Sequence, residues 1–176
     1  MAKTYTANSY NIGTPAGTTI GNGKSLLGIF NAHASNIVKV WRVWMYPNTT
    51  AVTGVMIDVS LRLLSNLTSG TAVTAHAHNT ANTSKDLTSI TIVTNGTATA
   101  SATIASYLIV TEEPVVSGAV NQNLMCFMPF SQLWDNGIGD DNVQPITLRQ
   151  NEGLDLQCVT NSVAGNFDVI FEFTVE

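Results

Sequence analysis

In the C-terminal run NFDVIFEFTVE, Phe167, Val169, Phe171, Phe173 and Val175 alternate with Asp168, Ile170, Glu172 and Thr174. An apolar period of two puts one row of side chains on a single face of an extended chain, which no helix does. The same rhythm runs through VTGVMIDVSLRLLS, where Val55, Ile57, Val59, Leu61 and Leu63 share a face and Asp58, Ser60 and Arg62 take the solvent side. No window of a dozen residues carries apolar positions at helical spacing behind a cap. The chain is therefore confined to folds that pair extended segments.

Further strands are read along the chain. SLLGIFNA (25–32) is a short apolar run, and IVKVWRVWMY (37–46) is β-branched and aromatic until Pro47-Asn48 ends it. The small polar stretch from Asn66 to Asn82 reads as loop plus a weak strand. DLTSITIV and ATIASYLIV flank Asn95-Gly96, which reads as a tight turn between them. NLMCFMPFSQLW contains Pro129, a sign of an edge or a bend, and SQLWDNG has room for one turn of helix. PITLRQ, an NEG turn and GLDLQCVT precede the terminal strand. About eight or more strands without intervening helices indicate an all-β fold, a two-sheet antiparallel β-sandwich. At this length a jelly roll of two four-stranded sheets is expected. The Cys…Trp…Cys spacing of an immunoglobulin domain and any internal repeat are missing.

Residues 1–24 differ from the rest. They are rich in Gly, Thr and Asn, with turn signals at TPAGTT and GNGK and no sustained period. They are expected to form an extended N-terminal arm, or a loosely paired strand, that contributes little core and orders on a partner. Residues 25–176 are expected to form one β-sandwich domain. The 176 residues suffice to bury roughly 70% of the unfolded surface without disulfide or metal staples.

Charge excludes more than it identifies. Only 11% of residues are charged, against about 25% in typical chains. Seven Lys and Arg stand against twelve Asp and Glu, and the cations are scattered, so no nucleic-acid partner is expected. No stretch approaches the apolar length of a membrane span, and MAKTYTANSYNIGTP lacks the apolar region of a secretory signal. The sequons at Asn48, Asn66, Asn82 and Asn95 are accordingly read as unglycosylated. Cys126 and Cys158 lie outside any CxxC pair and read as buried thiols, with a cross-strand disulfide left open.

Candidate sites are few. His76 and His78, at i and i+2, share a strand face at a spacing able to chelate a transition metal, but no further ligand is near in sequence. Asp135, Asp140 and Asp141 could offer oxygens to calcium, yet their spacing departs from the EF-hand pattern, and a solvated turn that positions Trp134 is the simpler reading. Glu112 and Glu113 are adjacent and so point to opposite faces. GNGKS lacks the spacing and the following helix of a phosphate loop, and no hydrolase, zincin or dinucleotide motif is present. No catalytic residue, metal or cofactor is assigned, and no enzyme is expected. Trp41 and Trp44, three apart, should face opposite sides of a regular strand, one in the core and one at a surface. A surface of Thr, Asn, Ser and Ala in place of Lys and Glu fits a protein covered by neighbouring subunits.

From Ser25 to Glu176 the chain resembles small jelly-roll virion proteins of tailed bacteriophages. The resemblance is carried by FNAHASNIVKVWRVWMY, TAVTGVMIDVSLRLL, FMPFSQLWDNGIGDDNVQPITLRQNEGLDLQ and FDVIFEFTVE. It implies a structural protein made in the host cytoplasm and placed on the capsid surface of the virion. There it would act as a homotrimeric decoration or cement protein bound to the major capsid protein or neighbouring virion proteins. The same resemblance leaves a receptor- or glycan-binding module of a phage fibre or tail as the alternative. It assigns no functional residue.

Overall fold

A computed structural model describes residues 2–9, 23–47, 56–82, 87–110, 132–136, 144–159 and 167–176. The described residues form twelve strands: β1 Lys3–Asn8, β2 Lys24–Asn31, β3 Val38–Pro47, β4 Met56–Thr68, β5 Thr71–Ala72, β6 Ala75–Ala77, β7 Ile90–Thr94, β8 Gly96–Val110, β9 Gln132–Asp135, β10 Ile146–Leu148, β11 Glu152–Cys158 and β12 Phe167–Val175. They make two antiparallel sheets packed face to face, the all-β sandwich expected from the period-two pattern. Each sheet has six strands where four were expected, because short strands such as β5, β6 and β9 extend the edges.

The first sheet runs β10-β3-β12-β1-β6, with β9 beside β3. β12 lies at its centre between β3 and β1. Its inward row, Phe167, Val169, Phe171, Phe173 and Val175, is buried together with Val38, Val40, Val43 and Met45 of β3. The SQLWDNG segment forms extended β9 and no helical turn in the described part, since Arg42–Trp44 offers it an open strand edge.

β1 corrects the expectation that residues 1–24 contribute little core. Lys3–Asn8 pairs along β12 on one side and β6 on the other. Tyr5 and Ala7 point inward and are almost fully buried, and the Tyr5 ring stacks on Phe173 with centroids 5.6 Å apart. The alternation Thr4, Tyr5, Thr6, Ala7 is a short period-two strand whose small residues hid it. The rest of the expected arm, residues 10–22, lies outside the described residues, as does Pro129.

The second sheet runs β11-β4-β8-β2-β7-β5, and β11 also pairs with β2. Four strands, β2, β11, β4 and β8, therefore join in a closed ring. β7 and β8 do not form a hairpin at Asn95-Gly96 as expected. Asn95 takes a left-handed φ of 55°, and its N–H donates to the Ser25 carbonyl at 2.8 Å. The chain kinks without reversing: β7 pairs with Gly28–Asn31, Gly96 and Thr97 pair with Ser25 and Lys24, and β8 then passes to β4. Three register shifts between β4 and β8 supply the added twist such closure needs.

Outward side chains of the ring meet the first sheet, and inward ones meet each other. Leu27, Ile29, Leu61, Leu154 and Leu156 join the main core. Leu64, Leu67 and Val93 form a second, small core on the opposite face. Space there is short: a Cβ on Gly96 would lie 2.8 Å from Leu67, and one on Gly153 would lie 2.7 Å from the Ile29 carbonyl oxygen. In this enclosed space Arg62 donates to Asp155 through Nε at 3.0 Å and a terminal nitrogen at 2.7 Å, while Ser25 donates to the same carboxylate. Arg62 was expected on the solvent side of β4, but ring closure buries it, and Asp155 is wholly buried. Burial pushes the Asp155 carboxyl up, and the bonds from Arg62 and Ser25 oppose that shift by holding the charged form.

Asn31, also wholly buried, links the sheets. Its side-chain amide donates to the carbonyls of Asn36 and Leu148 at 2.8 and 3.1 Å, and its oxygen accepts from the His33 N–H at 3.0 Å. Tyr107 of β8 reaches across to donate to the Leu133 carbonyl of β9. No helix among the described residues is long and apolar enough to cross a membrane.

Two outcomes test this packing. Tyr5→Ala should cost about 3 kcal/mol in urea unfolding, as expected for a buried aromatic ring; an unchanged midpoint would place β1 outside the folded unit. Arg62→Met should cost about 3–5 kcal/mol by stranding Asp155, and adding Asp155→Leu should restore much of the loss.

Candidate interaction face

The outward face of the first sheet brings Trp41, Trp44 and Tyr46 together with several charged side chains. A cross-strand row runs over five strands. Asp135 of β9 is paired with Arg42 of β3, Arg42 with Glu172 of β12, Glu172 with Thr6 of β1, and Thr6 with His76 of β6. Each member stands on the same face because register neighbours in a sheet share a side. Arg42 bonds Glu172 at 3.2 Å and Asp135 at 3.5 Å, and its guanidinium lies over the Trp44 ring, 5.7 Å from the centroid.

Trp44 stands in the next row, opposite Ile170. Trp41 was expected to face away from Trp44, and it does not. The pairing of β3 with β12 steps from Arg42–Glu172 to Val40–Phe173, so Trp41 is an extra residue in a bulge. The bulge turns Trp41 outward, where its Nε1 donates to the Thr174 hydroxyl at 3.0 Å. Both indoles thus flank the charged row on one face, with Tyr46 exposed at the same strand's end. Lys39 and Glu176 pair at 2.6 Å near the other end.

This arrangement has the make-up of a binding surface. The Asp135 and Glu172 carboxylates face the Arg42 guanidinium, and the Thr6 hydroxyl is engaged with His78 Nε2. The face presents two half-buried indoles, a phenol and hydrogen-bonding groups, a combination suited to protein or carbohydrate contact.

Of the residues singled out in the sequence, Asp135 and His76 stand at the two ends of this row and the others lie beside or away from it. His76 and His78 are exposed at the opposite edge of the same sheet, and Nε2 of His78 lies 2.7 Å from the Thr6 hydroxyl. His33 sits in the β2–β3 loop, where its Nδ1 accepts the backbone N–H groups of Ser35 and Asn36 at 3.2 and 3.0 Å. Asp135 belongs to the row above; Asp140 and Asp141 lie outside the described residues, as do Glu112, Glu113 and Cys126. Cys158 is buried at the end of β11, and Trp134 of β9 packs partly against the core. Among the described residues no three His, Cys, Asp or Glu side chains gather as a metal site. The row from Asp135 to His76 escaped sequence reading because its members come from five separate strands and only register aligns them.

Compared with protein families, curated proteins and solved structures, the chain matches none.

The geometry separates two kinds of contact on this face. Trp41→Phe keeps the ring but strips the buried Thr174 hydroxyl of its donor, and should cost about 1 kcal/mol. Arg42→Ala removes an ion pair whose arginine is 28% exposed, and should cost no more than about 1 kcal/mol. Urea midpoints of the two variants check both values.

Proposed function

We propose that this chain is a structural virion protein, a homotrimeric decoration or cement protein that binds the capsid of a tailed bacteriophage and stabilises it. The observation that carries the reading is the outward face of the first sheet, where Trp41, Trp44 and Tyr46 gather in a chain with only 11% charged residues. Here the charges beside the indoles include the pairs Arg42 with Glu172 and Asp135 and Lys39 with Glu176, and Thr4, Thr6, Asn8 and Ile170 are further outward residues that another protein surface can cover.

The mechanism is binding without chemistry. A protein that binds only the assembled shell stabilises it by mass action. Three linked contacts raise the effective affinity well above that of one. Seven cations against twelve acids support a protein partner over a nucleic acid.

A receptor- or glycan-binding module of a fibre is favoured by one observation, the placement of both indoles on the same side of β3. Against it, Arg42 already occupies a face of the Trp44 ring.

Light scattering on the purified chain should give three times the 18.7 kDa monomer mass. Co-sedimentation with empty phage shells should retain the wild type and lose a Trp44→Glu variant. A stable monomer at micromolar concentration, or shells that leave the protein in the supernatant, would sink the reading. Saturable binding on a glycan array with no shell binding would replace it with the fibre module.

A further inference from the structure

We propose that His76 and His78 form a two-imidazole site for a divalent transition-metal ion, with water completing the coordination. Ala75 and Ala77 turn toward the core and pack against it, so His76 and His78 share the outward face. His76 lies in β6 and His78 directly follows its last residue, so two steps of extended chain, about 6.6 Å, separate them, within the span two imidazoles can close around one ion at about 2.0–2.1 Å from each nitrogen.

Both histidines neighbour Thr6. His76 is the register partner of Thr6, and His78 bonds the Thr6 hydroxyl through Nε2. When that hydroxyl accepts from Nε2–H, the tautomer is fixed and Nδ1 of His78 carries the free lone pair. A second partner that orients a ligating histidine in this way is usual in metal sites. The backbone of His78 is held as well, because its N–H donates to the Thr4 carbonyl at 2.9 Å.

The surroundings leave room for water. A cleft beside His78 is lined by Ala2, Lys3, Thr4, Asn79 and Asn82, and both imidazoles are exposed. The donor set is two nitrogens and no carboxylate, which selects Cu2+, Ni2+ or Zn2+ over Ca2+ or Mg2+ and ranks Cu2+ first. The third histidine, His33, is committed to two backbone N–H groups in the β2–β3 loop.

The test is titration of the purified full chain with Cu2+ by calorimetry, with electron paramagnetic resonance of the loaded protein. One saturable site per chain is expected, with nitrogen hyperfine structure from two imidazoles. His76→Gln and His78→Gln should each weaken binding by about tenfold or more, while His33→Gln leaves it unchanged. Both histidines in the site are exposed, so thermal melts of the variants should match the wild type and confirm that the fold is retained. Isotherms of His76→Gln and His78→Gln that superimpose on the wild type would overturn the site. So would the absence of saturable Cu2+ binding, or a loss confined to His33→Gln.

Discussion

The charged fork between Arg62 and Asp155 holds the second sheet in its closed form. Two ions removed from water are tolerated only where geometry and extra bonds compensate them. Here β4 supplies the guanidinium, β11 the carboxylate, and β2 the serine hydroxyl that completes it. Those are three of the four strands in the ring. A flat sheet would leave the pair wet and weak. The closed one makes each partner depend on the other, and with Leu64, Leu67 and Val93 gives the ring an interior of its own.

The period-two pattern made the sandwich legible, along with the inward rows of β12 and β4. Phe171 and Leu61 are buried as their alternation required. What escaped were departures from regular pairing. One inserted residue at Trp41 reversed the face of an indole, and one left-handed residue at Asn95 turned an expected hairpin into a continuing strand. Arg62 obeyed its alternation but met a sheet that had curled over it. β1 was missed because threonine and alanine make a faint pattern until Tyr5 meets Phe173. In each case the deciding contact lies far away in the chain, where local composition carries no signal.

The interaction face was legible only in part. Its aromatic content could be read from VWRVWMY, and its low charge from composition. The alignment of Asp135, Arg42, Glu172, Thr6 and His76 could not, since it depends on the register of four strand pairs. Both cations on this face are paired with carboxylates, Arg42 with Glu172 and Asp135 and Lys39 with Glu176. Another protein surface can cover these pairs without leaving either cation bare, whereas a site that must seize an anionic ligand needs a cation not already committed.

Ring closure also sets how the chain must fold. Ser25 and Asp155 are bonded across 130 residues of sequence, and Arg62 and Asp155 across 93. Contacts so distant cannot form until most of the chain has been ordered, and their loop entropy is spent before they return anything. Local segments such as β3 with its neighbours give little head start, because β12 arrives last from synthesis and pairs with both β1 and β3. The molecule therefore belongs with the slow, non-local folders, completing its fold on a timescale of about milliseconds to seconds. Until the C-terminal strand is in place, β1 and β3 expose open edges, and newly made chains at high concentration are most prone to pair with one another during that interval.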